Sequence, residues 1–346
     1  MAKKAAENEA LRALRGAITS GELKNLYILH GAERYLLERY VGDMREKLLP
    51  DGLGGFNYRR YEGRALTLDE LREAVTTLPV FAERTLIEVH DFDIFKSGEE
   101  TLTALTALFA ELPEYVCLLF IYDTAEFKLD RRTKLAGTLK KYAELVEFDM
   151  QDQVKLAGWV KKHFADGGAR ISGADAAYLA FITGGYMEPL LREIEKLISY
   201  VKNGAVTRAD IDAVVTPTLD AVSYKMMDAI VRRDFDGAAV ILDELLRMRE
   251  PPHKLMFTIS LRMRQLLAAR ACLDNALGAP ALMALCGLRY DFQAGNLLAA
   301  ARNTDLNACR DAVLLCGETA YRLNDGGGEE AIVDLLVQLK RSAARP

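Results

Sequence analysis

The first candidate for chemistry is the turn after residues 26–30, where LYILH ends at Gly31 and runs into AERYLLERY. A strand, a glycine turn and a helix in that order is the layout of a phosphate-binding loop. Such a loop also needs a lysine to reach the outer phosphates and a serine or threonine for the metal. Neither follows Gly31, and Glu33 sets a carboxylate where phosphate oxygens would sit, so like charges repel. Gly31 reads as a vestigial form of that turn. The run LIEVHDFDIF closes in His90 and Asp91 without the adjacent acidic pair that holds magnesium and orients water in an active ATPase. Asp123, ending VCLLFIYD, is a single strand-end acid of the kind that caps a helix or shapes a turn. His30, His90, His163 and His253 lack metal-ligand spacing, and no GxSxG nucleophile signature accompanies them. The expectation is a chain with no catalysis, no cofactor and no metal. The rival reading is an active P-loop ATPase with a degenerate motif.

A different kind of signal lies in TTLPVFAERTLIEV. Proline forces its predecessor out of helical geometry, so a helix must stop at Leu78 and Pro79. Leu78, Val80 and Phe81 then follow with neither a helical nor a strand register to hide all three. Two arrangements are open: they fold back beneath a sheet, or they form an exposed apolar plug awaiting a partner's pocket. The first would make the protein a helical adaptor with no such contact. Two basic groups could reach nucleic-acid phosphates: Lys128, Arg131, Arg132 and Lys134 after a strand, and Lys161 with Lys162 on a helix. Basic runs of this size otherwise simply face solvent.

The elements that must position these residues alternate. LYILH, NYRRYE, TLIEVH, VCLLFIYD and LVEFDM read as strands, and helical patterns separate them. Thr67 with Glu70 forms a capping box opening a helix whose Leu68, Leu71 and Val75 recur at helical spacing. Alternation over residues 1–149 predicts a mainly parallel sheet covered on both faces. After Met150 no strand is expected. Ser172 with Asp175 and Thr207 with Asp210 mark helix starts in a small helical region over 150–215, and Pro251-Pro252 opens a longer helix in a bundle over 216–346.

The chain has 346 residues, long enough for two or three cores. Half of it is hydrophobic and 27% is charged, a globular composition with no apolar run long enough to span a membrane. The start, MAKKAAENEALRAL, carries acids where a signal peptide would be apolar, so a cytoplasmic location is expected. Five scattered cysteines without a CxxC pair read as small buried hydrophobes. A net charge of -5 argues against a dedicated nucleic-acid binder.

In order and spacing, LYILHGAERYLLE, FNYRRYEG, TLPVFAERTLIEV, CLLFIYD and REIEKLISY resemble the delta subunit of the DNA polymerase III clamp loader. The resemblance spans almost the whole chain. TLPVFAER and EIEKLISY are its most specific parts. It implies an AAA+-like α/β domain over 1–149, a small helical lid over 150–215 and a helical collar over 216–346. It also implies that the segment matching Leu78, Pro79, Val80 and Phe81 contacts the beta sliding clamp, and that no ATP is bound. The partners it implies are the clamp, loader subunits of gamma/tau and delta-prime type, and DNA within the assembly, with a monomer when isolated.

Overall fold

The structure, a computed structural model, describes residues 2–49, 54–202, 204–288 and 290–343. The chain divides into two compact units, Met1–Gln151 and Asp152–Pro346.

The first unit is built around five strands: β1 Leu26–His30, β2 Tyr58–Glu62, β3 Thr85–His90, β4 Val116–Ile121 and β5 Glu144–Glu147. All pair in parallel, in the order β2-β3-β4-β1-β5. Parallel strands need crossovers, and α-helices supply them: α1 Ala2–Ser20, α2 Arg34–Leu48, the short α3 Gly54–Asn57, α4 Leu68–Thr76, α5 Glu99–Ala110 and α6 Lys134–Tyr142. Alternate residues of each central strand feed opposite faces. Leu26, Ile28, Ile87, Val89, Leu118 and Phe120 pack with Leu71 and Val75 of α4, Phe109 of α5 and Leu139 of α6. Tyr27, Leu29, Leu86, Cys117, Leu119 and Ile121 pack with Leu14 of α1 and with Leu37, Val41 and Met44 of α2. Burial on both faces explains why β3 and β4 read as near-continuous apolar runs.

The second unit is helical: α7 Gln153–Asp166, α8 Gly173–Ile182, α9 Met187–Val201, α10 Arg208–Val214, α11 Leu219–Val231, α12 Phe235–Arg247, α13 Pro252–Asp274, α14 Ala279–Cys286, α15 Asp291–Arg302, α16 Leu306–Asn324 and α17 Glu330–Ala343. Several starts fall where side-chain chemistry puts them. Ser172 caps α8 by accepting from the Asp175 amide, Thr207 and Asp210 form a capping box on α10, and Pro252 opens α13. The absence of strands after Met150 needs correction: β6 Arg170–Ile171 and β7 Ala205–Val206 form a parallel two-stranded sheet. Two residues are too few to show any alternation in sequence. The stretches on either side of residue 215 are joined by an aromatic cluster. Phe181 stands edge-on to Tyr224, Tyr290 and Phe292 with ring centroids 4.8, 5.3 and 5.3 Å away, and the Thr218 amide donates to the Ile182 carbonyl.

Candidate functional site

The loop between α4 and β3 carries the apolar segment. Its near end is fixed by α4, where Thr67 and Glu70 form both halves of a capping box. The helix stops at Thr76 and Thr77 turns extended, as the following Leu78-Pro79 demands. At the far end, the Arg84 guanidinium donates to the carbonyls of Leu23 (2.6 Å) and Val116 (3.2 Å), and the Thr85 amide donates to the Tyr115 carbonyl at 2.7 Å. Between these anchors Leu78 is 68% exposed, Val80 40% and Phe81 88%. The alternative open in the sequence, folding back beneath the sheet, is not the one adopted.

Phe81 has φ +52, a left-handed conformation that costs a residue with a Cβ about 1–2 kcal/mol. The support comes from an unexpected residue. Asn57, buried at the end of α3 just before β2, donates its side-chain amide to the Val80 carbonyl at 2.8 Å and accepts from the Val80 amide at 2.7 Å. One planar side chain thus mimics a strand partner for the residue preceding the tip.

The Gly31 turn is real, with φ +137. It is closed by main chain: the Phe148 amide donates to the His30 carbonyl at 2.7 Å, and the Glu33 amide donates to the Phe148 carbonyl at 2.9 Å. A Cβ on residue 31 would lie 2.2 Å from that carbonyl oxygen. Glu33 itself is buried at the mouth of α2.

Toward the carboxyl ends of β3 and β4 lies a charged network. Glu88, fully buried, accepts from Arg45 Nε at 2.6 Å and from the Tyr58 hydroxyl at 2.9 Å. His90 places Nε2 3.4 Å from the same carboxylate and Nδ1 2.5 Å from Asp123 Oδ2. Burial alone would raise the Glu88 carboxyl, but hydrogen bonds from His90, Arg45 and Tyr58 outweigh it and hold the group at about 2. Burial would lower His90, yet its two carboxylate partners push it up to about 9. Asp91, with φ +54, accepts from the amides of Asp123, Thr124 and Ala125. Asp123 is therefore a partner for an imidazolium rather than a helix cap. Glu88 had a readable signal, an acid amid apolar residues in TLIEVH, which must be paired if buried.

The basic residues are exposed. Lys128 pairs with Glu126 at 2.7 Å and Arg132 with Asp130 at 2.9 Å, which leaves the first cluster less positive than its sequence reads. Lys161 and Lys162 lie on α7, in the other unit from Lys128, Arg131, Arg132 and Lys134. Cys117, Cys272, Cys309 and Cys316 are buried and Cys286 partly so. Among the described residues no group of three or more His, Cys, Asp or Glu could hold a metal ion, and no helix is long and apolar enough to cross a membrane.

A parallel five-stranded sheet in this order, with a glycine turn between β1 and α2, defines an AAA+-like α/β domain, here followed by helices. The family model for the DNA polymerase III delta subunit matches residues 27–149, and the model for the C-terminal domain of that subunit matches residues 220–339. The chain belongs to the DNA polymerase III delta-subunit family, a component of the clamp loader. It is 25% identical over 269 residues to DNA polymerase III subunit delta of Bacillus subtilis (strain 168), covering 76% of this chain and 77% of that protein. A probable DNA polymerase III subunit delta of Aquifex aeolicus (strain VF5) is 21% identical over 246 residues, covering 68% of each chain. The solved structure of the Bacillus subtilis DNA clamp loader delta protein aligns with a TM-score of 0.49 at 22% identity, covering 95% of this chain and 99% of that one.

Proposed function

We propose that this subunit binds the beta sliding clamp through Leu78, Pro79, Val80 and Phe81 and favours the clamp's open form, without hydrolysing ATP. The observation that carries the reading is the 88% exposure of Phe81 on a loop anchored at both ends. Exposed apolar side chains on a held loop are the usual form of an interface anchor. Burying a leucine, a valine and a phenylalanine contributes roughly 1.5–3 kcal/mol each before ordering costs, so a small tip gives useful affinity. If the tip holds the open clamp better than the closed one, binding shifts the clamp's population with no covalent step.

The closed turn at Gly31 and the ion-paired ends of β3 and β4 support a non-catalytic role, with nucleotide work left to gamma/tau-type subunits. Residues 150–215 act as a lid and 216–346 as a collar joining those subunits and a delta-prime type subunit in the cytoplasm. DNA phosphates in the assembled loader are contacted by the exposed basic residues, among them Arg131, Lys134, Lys161 and Lys162. The isolated chain is a monomer.

The test is calorimetric titration of the clamp with the Phe81→Ala protein. Affinity is expected to fall by at least about 2 kcal/mol with the fold intact, as for a hot-spot aromatic. Unchanged affinity would refute clamp binding through this loop.

A further inference from the structure

Two consecutive residues outside the loop bear on it, Phe56 exposed and Asn57 buried. Phe56 is 66% exposed, and it directly precedes Asn57, whose side chain grips both backbone groups of Val80. Consecutive Cα atoms are about 3.8 Å apart, so Phe56 is tethered beside the loop although it lies over twenty residues away in sequence. A residue with most of its surface in solvent packs little within its own unit.

Asn57 has a separate role. The Phe81 backbone sits in a left-handed conformation with its ring in solvent, so no contact of that ring offsets the strain. What holds the conformation is the main chain on either side, and on the near side this means the paired hydrogen bonds from Asn57. Only an asparagine at this position offers a donor and an acceptor at this reach. Aspartate keeps the acceptor for the Val80 amide and turns the second contact into repulsion between carboxylate and carbonyl oxygens. Binding to a preformed tip avoids the entropy of ordering it on the partner.

We infer that Asn57 is the positioning residue that presets the tip and that Phe56 is a further aromatic anchor, seated on the clamp beside the pocket that takes Phe81. The inference rests on the proposed clamp binding. The occupant is the clamp itself, because Phe56 is continuous through Asn57 with the loop that binds it.

The experiment titrates the intact clamp with full-length Phe56→Ala, Asn57→Asp and Phe81→Ala proteins, and follows amide hydrogen exchange at Val80. Phe56→Ala is expected to weaken binding by about 5- to 20-fold with an unchanged melting temperature, in the range of a buried interface aromatic. In Asn57→Asp the carboxylate repels the Val80 carbonyl and drives the two segments apart despite the retained acceptor, so Val80 amide exchange is expected to speed up and binding to weaken about tenfold, while the melting profile stays cooperative. Rapid Val80 exchange with wild-type affinity would overturn the positioning role, since the tip would then bind equally well unheld. Wild-type affinity for Phe56→Ala beside a weakened Phe81→Ala would overturn the second anchor and leave clamp binding standing. Wild-type affinity for Phe81→Ala would remove the foundation of both.

Discussion

His90 Nδ1 lies 2.5 Å from Asp123 Oδ2, so the ends of β3 and β4 are joined by an imidazole that also faces Glu88. With a carboxylate on each ring nitrogen, both nitrogens must donate, and the ring is held as a cation. Its titration is raised from the usual 6.5 to about 9. A raised histidine binds its proton more tightly in the folded state, so its stabilisation is fully present below pH 6.5 and disappears as pH climbs through 9. The melting temperature of the wild-type protein should exceed that of His90→Gln most at pH 6, by the equivalent of about 2–3 kcal/mol, and the gap should close by pH 9.5. A gap of equal size at both pH values would show that the ring is not charged in the fold.

At the tip, stability and binding pull in opposite directions. Phe81→Gly relieves the left-handed strain and removes a ring that touches little of its own unit, although glycine also gains freedom in the unfolded chain. Denaturant unfolding should show a change between no effect and about 1 kcal/mol of added stability. The same protein should lose at least about 2 kcal/mol of clamp affinity. Destabilisation beyond about 1 kcal/mol would mean that the ring supports the fold.

Gly31→Ala tests the closed turn. The new Cβ would meet the Phe148 carbonyl at 2.2 Å in a backbone conformation that favours glycine, so unfolding should become easier by at least about 2 kcal/mol. A loss below about 0.5 kcal/mol would mean that β5 moves aside freely.

Nucleotide binding gives an independent check on the same region. Equilibrium dialysis with ATP and magnesium should give no saturable uptake, because no lysine or Ser/Thr follows Gly31 to hold phosphate and metal, and the Glu33 carboxylate beside the turn repels phosphate. Saturable, magnesium-dependent binding would restore the hydrolase reading.

The collar assignment predicts that a chain ending at Gln151 still binds the clamp but no longer enters the loader ring on gel filtration. A cut at 215 would be a poorer probe, since it strips Tyr224, Tyr290 and Phe292 from Phe181.

Much of this was legible in sequence where the signal is local. β3 and β4 announce themselves because burial on both faces leaves unbroken apolar runs, and α4, α8 and α10 because each start needs a side-chain acceptor three residues before a free amide. Leu78, Val80 and Phe81 stood out because no periodicity could bury them all. Asn57 did not, since an asparagine just before a strand is unremarkable until Val80, far along the chain, comes beside it. The network around Glu88 draws on α2, β2 and the end of β4, so no window of sequence contains it. β6 and β7 exist only because their partners meet in space.

The nearest neighbours of Gly31 are backbone atoms of Phe148, which mutation cannot trim. Any side chain placed at residue 31 would have to displace the main chain at Phe148, which is tied to both His30 and Glu33. Redesign of this turn therefore begins with the path of the chain just beyond β5, not with the residue types in the turn.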